Sequence, residues 1–353
     1  MKLALIGLPQ AGKTTLFNAL TGSARPLAIS AGRIEVHTEM VDVPEPRLPR
    51  LAELYGSQRI VYARIAFADV AGLGAVEGSQ GLSSQLLNAL AGMDGLLLVL
   101  RAFEDPAVAH PVGGLDMARD LGALQDELLL NDLLIVERRT AKLAEARQKG
   151  GGDLQELDKQ LSLLDRLHAH LSDNRLLRTL DLNPTEQSYI AGYGLLTRKP
   201  LLVVINLGEG QPAPVLDAGH TPVLALQGKL EMELAQLPQD DAAEFLREYG
   251  LEESGAQRVI RAAYDLLDTQ TFYTLADSEA HAWMLPRGAS ALDAASAVHS
   301  DIARGFIRAE IIHADELLSL GSLAAAREQG KLRLEGKDYA MQDGEVIQVR
   351  FNV

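Results

Sequence analysis

Short runs of apolar residues alternate with helical patterns along most of the chain. Residues 2–7 form the first run and end in a glycine-rich turn, and a helical pattern follows at residues 13–20. Four more apolar runs predict buried strands at residues 60–67, 95–100, 201–205 and 221–226. Strands that alternate with helices in this way predict an α/β fold with a mainly parallel sheet.

Residues 115–188 interrupt this alternation with two apolar stripes at helical spacing, separated by the glycines at 150–152. Each stripe advances by three and four residues in turn, which is the spacing of a heptad seam. The members are Leu129, Leu133, Val136, Thr140 and Leu143, then Leu154, Leu157, Leu161, Leu164, His168 and Leu171. We expect an inserted antiparallel helical hairpin, since charged residues between the stripes favour an exposed hairpin over a helix pair within the core.

From residue 277 the pattern changes to short strands and short helices. Strands are expected at residues 283–286, 307–312, 331–334, 338–341 and 346–351, and helices at 291–302 and 323–328. Asp343 and Gly344 predict a hairpin turn between the last two strands. This part has a suitable length for a compact β-grasp-like domain. The predicted domains are a discontinuous α/β domain at 1–114 and 189–276, the hairpin at 115–188, and a C-terminal domain at 277–353.

Composition limits the possible functions. The chain has no cysteine, which excludes disulfides, thiolate metal sites and a thiol nucleophile. Its net charge of -15 argues against a broad nucleic-acid face, so no DNA partner is expected, and any RNA contact needs a local basic patch. No apolar run approaches the roughly 18 residues of a membrane span, and the N-terminus resembles a strand rather than a signal peptide. We expect a cytoplasmic protein, monomeric and without a membrane partner.

A phosphate-binding loop is predicted directly after the first strand. Gly7, Gly12, Lys13 and Thr14 match G-x-x-x-x-G-K-[ST]. Glycines let the backbone wrap around a phosphate, the lysine bridges phosphate oxygens, and the threonine hydroxyl ligates Mg2+. A structural glycine turn is the alternative, but the strand before the motif and the helix after it favour phosphate binding. The expected nucleotide contacts are Leu8, Pro9, Gln10, Ala11, Gly12, Lys13, Thr14 and Thr15.

A second motif, D-x-x-G, follows the strand predicted at residues 60–67. Asp69 is placed to hold the Mg2+ shell, and the Gly72 N–H is placed to sense the terminal phosphate. An aspartate in an ordinary turn is the alternative. Further glycines at 74, 78 and 81 predict a mobile segment, as a nucleotide-gated switch requires.

The base-recognition element departs from the guanine pattern N-K-x-D. Here Asn206 is followed by Leu207 and then by Glu209, at the positions of the lysine and the aspartate. Glutamate is one methylene longer, and adenine offers a donor and an acceptor where guanine offers two donors, so we expect ATP to bind better than GTP. A solvated loop acid is the alternative. Ala225 and Leu226 are expected to add a further element on the base side.

The sequence resembles the YchF/Obg-like ATPase family, within the translation-factor-related P-loop class. The matching segments are residues 7–14 with 16–20, then 43–48, 69–73, 101–104, 199–200 and 206–209, and the TGS-like segments 305–310 and 342–353. The resemblance implies an ATP-preferring hydrolase associated with ribosomes and stress responses. It also implies that His110 places the attacking water, because Leu73 occupies the position of the usual glutamine. A solvent-facing loop histidine is the alternative.

Two departures from the family pattern bear on hydrolysis. Thr14 replaces the usual serine, which is a mild change because both hydroxyls ligate Mg2+. Residues 33–36 read R-I-E-V where a first-switch threonine is expected in T-I-x-P, and Thr38 is the nearest alternative.

We therefore predict a slow ATPase that acts as a ribosome-linked switch, with Lys13 and His110 as catalytic residues and Thr14 and Asp69 as the metal ligands. A non-hydrolytic nucleotide-dependent binding module and a conventional translation GTPase are the alternatives. The candidate contacts to the ribosome or its RNA, each of which has a solvated charged face as its alternative, are Arg138, Arg139 and Lys142, and Arg304, Arg308, Lys331 and Arg333.

Overall fold

The computed structural model describes residues 1–25, 35–71, 83–106, 108, 110–111, 113–150 and 153–352. The chain forms two compact units, each composed of two segments. The first unit comprises Met1–Glu39 and Ala66–Val259, and the second comprises Met40–Ile65 and Ile260–Val353.

The described chain contains strands and helices in both units. The strands are β1 Lys2–Ile6, β2 Glu35–Asp42, β3 Ile60–Val61, β4 Arg64–Ala71, β5 Gly95–Arg101, β6 Leu201–Asn206, β7 Val223–Leu226, β8 Thr269–Leu275, β9 Ala280–Pro286, β10 Phe306–His313, β11 Arg333–Glu335 and β12 Glu345–Phe351. The helices are α1 Lys13–Thr21, α2 Arg47–Tyr55, α3 Ser84–Ala91, α4 Met117–Gln148, α5 Leu154–Ser172, α6 Pro184–Ile190, α7 Gly228–Leu234, α8 Gln239–Glu248, α9 Gly255–Leu266, α10 Ala291–Val298, α11 Ser300–Arg304, α12 Ala314–Leu320 and α13 Leu323–Glu328. None of these described helices is long and apolar enough to span a membrane.

The first sheet has the order β2-β4-β1-β5-β6-β7. β1 runs parallel to β4 and β5, β5 runs parallel to β6, and β6 runs parallel to β7. β5 is buried along its whole length, as expected of a central strand covered on both faces. The carboxyl ends of these strands meet at one edge, where Leu5 is level with Asp69 and Arg101 is level with Asn206. The predicted α/β class with a mainly parallel sheet is confirmed.

The strand predicted at residues 60–67 is in fact two strands in different sheets. β3 pairs with β9 in the second sheet, whereas β4 pairs with β1 in the first. The break falls at Tyr62 and Ala63, and the Ala63 carbonyl accepts a hydrogen bond from the Val43 N–H. Apolar periodicity reports burial but not the identity of the partner strand, so the run looked continuous.

α4 and α5 form the predicted antiparallel hairpin. Arg147 of α4 pairs with Asp158 of α5 at 2.6 Å, and Glu137 lies 3.5 Å from His168, so residue numbers rise along one helix as they fall along the other. The inclusion of His168 in the apolar seam was wrong, because its side chain is 46% exposed. The buried seam of α5 is instead formed by Leu163, Leu164, Leu167 and Leu171.

The first turns of α4 belong to the core of the first unit. Leu121, Leu124 and Leu128 pack in one cluster with apolar residues of β1, β4, β5 and β6. Farther along, Val136 and the α5 leucines pack with the segment that leads to β6, through Leu177, Ile190 and Leu195. The hairpin therefore shares its apolar residues with the α/β core, and the predicted boundary at residue 115 does not separate two compact bodies.

The second unit is built on a mixed sheet of order β11-β10-β12-β8-β9-β3. β12 pairs parallel with β8 and β3 with β9, while the pairs β8/β9, β10/β12 and β10/β11 are antiparallel. The boundary predicted at residue 277 lies between the paired strands β8 and β9. Residues 40–65, including α2, also belong to this unit rather than to the α/β domain.

Some local predictions for the C-terminal part differ from the structure. Residues 338–341 form no regular strand and contribute a single bridge between Ser290 and Ala340. The helix predicted at 291–302 is two helices, because His299 is extended and caps the second one. Gly344 has φ +81°, which agrees with a turn there.

A charged cluster ties α2 to the loop before β12. The guanidinium of Arg47 donates two hydrogen bonds to the Glu45 carboxylate, both at 2.8 Å, and lies 3.4 Å from Asp343. It also covers the ring of Tyr273, with the guanidinium carbon 5.6 Å from the ring centre. Asp343 in turn accepts a hydrogen bond from the backbone N–H of Thr271. The cluster joins segments almost 300 residues apart in the chain.

Candidate nucleotide site

The loop between β1 and α1 has the conformation that a phosphate cradle requires. Gly7, Gln10 and Gly12 have φ of 151°, 63° and 90°. A Cβ atom at Gly7 would lie 2.4 Å from the Val99 carbonyl oxygen, and one at Gly12 would lie 2.1 Å from Asn206 Nδ2. Only glycine fits at both places. α1 begins without a side-chain cap, so the N–H groups of its first turn remain available to an anion.

Lys13 folds back over this loop. Its Nζ donates hydrogen bonds to the carbonyl oxygens of Gly7 at 3.0 Å and Leu8 at 2.8 Å. Burial lowers the pKa of Lys13 to about 8, although the nearby Asp69 carboxylate acts in the opposite direction. The ammonium is thus held inside the loop, at the place where phosphate oxygens would compete with the two carbonyls.

Thr14 and Asp69 form the candidate metal site. Thr14 Oγ1 donates to Asp69 Oδ2 at 3.0 Å, and Arg25 lies 3.9 Å from the same oxygen. Asp69 is 2% exposed, and its Oδ1 has no hydrogen-bond partner among the described residues. A buried carboxylate oxygen without a partner beside a threonine hydroxyl fits Mg2+, which favours oxygen ligands.

Asn206 joins the phosphate loop to the segment after β7. Its Nδ2 donates to the Ala11 carbonyl at 3.2 Å, and its Oδ1 accepts from the Gly228 N–H at 3.0 Å. The side chain is almost fully buried, so both of its polar groups are used within the protein. Asn206 therefore bridges the phosphate loop and the start of α7, a role that the sequence did not predict.

The base-side residues divide into buried and exposed positions. Leu207 packs with Ala102 and Ile205, and its N–H bonds to the Leu226 carbonyl. Leu226 is buried and Ala225 is half-buried, whereas Glu209 is exposed. Of these four residues, Glu209 alone is exposed.

His110 is not solvent-facing. Its side chain is 6% exposed, and Nε2 lies 3.0 Å from Asp120 Oδ2. Both residues line a narrow crevice with Leu8, Pro9 and Ala11 of the phosphate loop. The structure thus brings His110 to the phosphate loop and adds the partner Asp120.

Arg101 fixes the backbone of the loop that carries His110. Its Nε donates to the Phe103 carbonyl at 3.1 Å, and its Nη2 donates to the Val108 carbonyl at 2.8 Å. The guanidinium also covers the Phe103 ring at 4.5 Å. The sequence marked Arg101 as part of a family motif but indicated no role for it, because its partners are backbone atoms.

The structure leaves the roles of several predicted residues untested. Gly72, Leu73 and the glycines at 74, 78 and 81 lie outside the described residues, as do Arg33 and Ile34. Thr38 is exposed on β2, and Thr15 is half-buried on α1. The roles predicted for the two switch segments therefore stay predictions.

Comparisons with known proteins agree with this fold. Residues 2–130 match the model of the 50S ribosome-binding GTPase family, and residues 269–352 match a YchF GTPase C-terminal model described as a protein of unknown function. The chain is 38% identical to the ribosome-binding ATPase YchF of Pasteurella multocida, over 100% of this chain and 99% of that protein. The corresponding protein of Bacillus subtilis is 35% identical, over 99% and 98%.

A solved structure extends the similarity to three dimensions. The structure of the Schizosaccharomyces pombe YchF GTPase superposes with a TM-score of 0.86 at 25% identity, covering 99% of this chain and 97% of that one. The match therefore covers nearly all of both chains. The phosphate loop, the Thr14–Asp69 pair and the full-length similarity lead to one conclusion: this chain belongs to the YchF family.

Proposed function

We propose that this protein binds ATP with Mg2+, hydrolyses it slowly to ADP and phosphate, and acts as a ribosome-associated switch in translation or stress response. The observation that carries the proposal is the contact of Thr14 with Asp69 at the mouth of a glycine-formed phosphate cradle. It supplies, in one place, a hydroxyl, a carboxylate and uncapped N–H groups, which are the groups that a magnesium triphosphate requires.

Phosphate binding follows from the loop and from Lys13. Uncapped N–H groups at the start of α1 and the helix dipole both favour a negative charge there. The Lys13 ammonium now donates to two carbonyl oxygens, and phosphate oxygens carry more negative charge than carbonyls. Lys13 therefore exchanges its backbone partners for the phosphates when a nucleotide enters.

The same residues would hold the metal. Bound Mg2+ would supply positive charge that offsets the negative charge developing on the phosphate oxygens. Thr14 would offer its hydroxyl, and Asp69 would offer the oxygen that has no partner in the described structure. Asp69 is already oriented by Thr14, so little rearrangement is needed.

A preference for ATP is supported by the base-side residues. Leu207 is buried against Ala102 and Ile205, and it carries no charge that could stack on guanine as the usual lysine does. The exposed carboxylate of Glu209 can accept a hydrogen bond from the amino group of adenine. We infer that ATP binds in preference to GTP.

Hydrolysis is assigned to His110 with Lys13. His110 lies against the crevice of the phosphate loop, and a neutral imidazole can accept a hydrogen bond from a water molecule. The alternative is a non-hydrolytic binding module, and the contact of His110 with Asp120 favours it if that contact withholds the ring from water. A conventional GTPase is disfavoured by the N-x-x-E sequence at residues 206–209.

Ribosome association is supported by the names of the relatives, which are called ribosome-binding ATPases, and by a basic cluster on α4. Arg138 and Lys142 are exposed, and Arg139 lies over the Tyr193 ring. In the described part of the chain, none of the three forms an ion pair with an acidic side chain. Of the four C-terminal candidates, Arg304, Lys331 and Arg333 pair with Asp301, Glu316 and Glu345, which leaves only Arg308 there without an ion pair to a described acidic side chain. We therefore place the ribosomal RNA contact on α4 rather than on the C-terminal domain.

The decisive experiment compares ATP and GTP. Equilibrium binding of both nucleotides with Mg2+ and phosphate release are measured with and without ribosomes. Tighter ATP binding with measurable ADP formation supports the proposal. Tighter GTP binding contradicts the base assignment, whereas ATP binding without turnover, even with ribosomes, supports the non-hydrolytic module.

A further inference from the structure

Arg25 follows α1 closely in the chain, and its side chain returns to the candidate metal site. Its Nη1 lies 3.9 Å from Asp69 Oδ2, the same oxygen that accepts the hydrogen bond from Thr14. Its guanidinium carbon lies 6.0 Å from the centre of the Phe17 ring. The Arg25 side chain is 28% exposed. A half-buried cation therefore lies beside the phosphate loop, where the threonine hydroxyl meets the carboxylate.

Asn18 of α1 fixes the backbone of Arg25. Its Nδ2 donates to the Arg25 carbonyl at 2.9 Å, and its Oδ1 accepts from the Arg25 N–H at 3.3 Å. Asn18 is 2% exposed. One buried amide thus pairs with both backbone polar groups of a single residue. The point from which the Arg25 side chain extends is therefore set by the packing of the first unit.

The guanidinium of Arg25 retains its capacity to donate hydrogen bonds. Its distance of 3.9 Å from Asp69 is that of an ion pair and is too long for a hydrogen bond. Among the residues that the structure describes, none accepts a hydrogen bond from this guanidinium. An arginine has five N–H donors in a planar fork that matches the oxygens of a phosphate. Arg25 is therefore able to bind a phosphate that enters beside Asp69.

We propose that Arg25 is a second phosphate-binding cation of this site, which joins Lys13 and holds the terminal phosphate of ATP. A guanidinium beside a metal-bound carboxylate is repelled by the charge of the metal, and phosphate oxygens are the strongest acceptors near it. Arg25 lies on the Asp69 side of the site, and the D-x-x-G motif that begins at Asp69 is the one expected at the terminal phosphate. Asn18 is the positioning residue. This inference rests on the proposed binding of ATP with Mg2+ and adds a residue that recognises the triphosphate.

Arg25→Met tests the contact through ATP and ADP binding. Methionine keeps an apolar side chain beside Phe17 and removes the charge and the donors. We expect the Kd for ATP with Mg2+ to rise by about tenfold or more, the scale of one hydrogen bond between charged groups. The Kd for ADP should stay within about twofold, because ADP lacks the terminal phosphate. Arg25→Lys should retain part of the ATP affinity, since an ammonium keeps the charge but not the fork.

The sign of the change separates this role from simple charge compensation. If Arg25 only balances the charge of Asp69, its removal frees the carboxylate for the metal. ATP with Mg2+ would then bind to Arg25→Met as tightly as to the wild type or more tightly, and either result overturns the inference. Equal weakening of ATP and ADP would also overturn it, because it would indicate damage to the phosphate loop. Thermal melts without nucleotide report whether each variant is folded.

Arg258→Met is the matched control. Arg258 is an exposed arginine on α9 in the same unit, so the substitution removes the same charge from the same part of the protein. We expect its Kd values for ATP and ADP to equal those of the wild type. A loss of ATP affinity as large as that of Arg25→Met would assign the effect to net charge and contradict the contact.

A double-mutant cycle tests whether Asn18 acts through Arg25. Asn18→Ala alone should lower the preference for ATP over ADP, because the backbone of Arg25 is no longer held. In an Arg25→Met background the same substitution should leave that preference unchanged within about twofold. Equal losses in both backgrounds would contradict the positioning role. If Asn18→Ala does not fold, Arg25→Met still decides the inference.

The proposed function and this inference fail separately. A wild type that binds no ATP contradicts the proposed function. A wild type that binds ATP, beside an Arg25→Met variant with the same Kd, contradicts the inference alone.

Discussion

Thr14 Oγ1 donates a hydrogen bond to Asp69 Oδ2 at 3.0 Å, which joins the start of α1 to the end of β4. Thr14 follows β1 through the phosphate loop, and Asp69 lies near the end of β4. β1 and β4 are hydrogen-bonded neighbours in the sheet. The contact is therefore a direct result of the parallel pairing. It orients the carboxylate toward the phosphate cradle before any ligand is bound.

Asp69→Asn should remove most of the Mg2+ dependence of ATP binding. An amide cannot supply the charge that a divalent cation requires, whereas metal-free binding through the loop and Lys13 should change little. Fluorescent-nucleotide titrations with and without Mg2+ measure the difference. Asp42→Asn, at an exposed ion pair with Arg64, controls for the lost charge. An unchanged Mg2+ effect in the Asp69 variant would remove this residue from the metal site.

ATP affinity should fall as the pH rises above about 8. Burial lowers the pKa of Lys13 to about 8, with Asp69 acting in the opposite direction, and bound phosphates raise it by favouring the ammonium. Below pH 8 the lysine is already charged. Above it, binding must take up a proton, so affinity falls by up to about tenfold per pH unit.

Calorimetry in buffers of different ionisation enthalpy measures that proton uptake at pH 8. The terminal phosphate loses its second proton at about pH 6, outside this window. Lys229→Met, at an exposed lysine of α7, should retain the wild-type profile. A constant affinity between pH 7 and 9 would mean that the Lys13 pKa is not lowered in the free protein.

Asn206→Ala should destabilise the first unit and weaken nucleotide binding. The substitution leaves the Ala11 carbonyl and the Gly228 N–H buried without their partner, at a cost of about 1–3 kcal/mol for each group. Denaturant unfolding and ATP titration measure the two effects. Asn183→Ala removes an exposed helix cap at α6, so it should lower stability by about 1 kcal/mol without changing ATP affinity. Wild-type stability in the Asn206 variant would contradict the bridging role.

Arg47→Met should destabilise the second unit at neutral pH by about 2–3 kcal/mol, because Glu45 would lose its charged partner. Burial acts to raise the pKa of Glu45, but the Arg47 hydrogen bonds outweigh it and hold that pKa below its ordinary value. Since the folded pKa is depressed, this stabilisation is present above the ordinary carboxyl pKa and is lost as the pH falls through the folded value. The difference between the variant and the wild type should therefore shrink in acid.

Thermal melts at pH 7 and in acid test whether the stability difference between the wild type and Arg47→Met shrinks in acid. Arg64→Met removes the exposed pair with Asp42 and should cost less than about 1 kcal/mol at either pH. A difference between wild type and Arg47→Met that grows toward acid would contradict the ion-pair explanation.

Alanine at Arg138, Arg139 and Lys142 together should weaken ribosome co-sedimentation and flatten its salt dependence. Each phosphate contact contributes to the slope of log affinity against log salt, so the slope should fall by about two or more units. The control replaces Arg147, Lys149 and Lys159, which lie on the same hairpin but are already paired with acids. Equal losses in both triple variants would indicate a general charge effect rather than a contact on α4.

Much of the fold could be predicted because its signals are local. β1, the phosphate loop and α1 are contiguous, and the glycines at 7 and 12 are required by the backbone path itself. The hairpin followed from heptad spacing, although the seam of α5 was misplaced at His168, where a polar contact with Glu137 replaces packing. Patterns of this kind depend on residues that are close to one another in the sequence.

The remaining features depend on partners that are distant in sequence. Nothing in the run at residues 60–67 marks that β3 pairs with β9 while β4 pairs with β1. Likewise, Arg47 and Asp343 meet only in the folded second unit. Apolar periodicity records which side chains are buried, and it carries no information about which strand or loop buries them.

For the site, the sequence by itself determined the phosphate cradle, its lysine and the residues suited to Mg2+, because one short segment and one strand end contain them. Only the tertiary structure decided that Asn206 supports the cradle, that Leu207 is part of the core and that His110 meets Asp120. The physical reason is that a motif encodes a local backbone path. The hydrogen bonds that orient a side chain come from whichever atoms the fold places within about 3 Å of it.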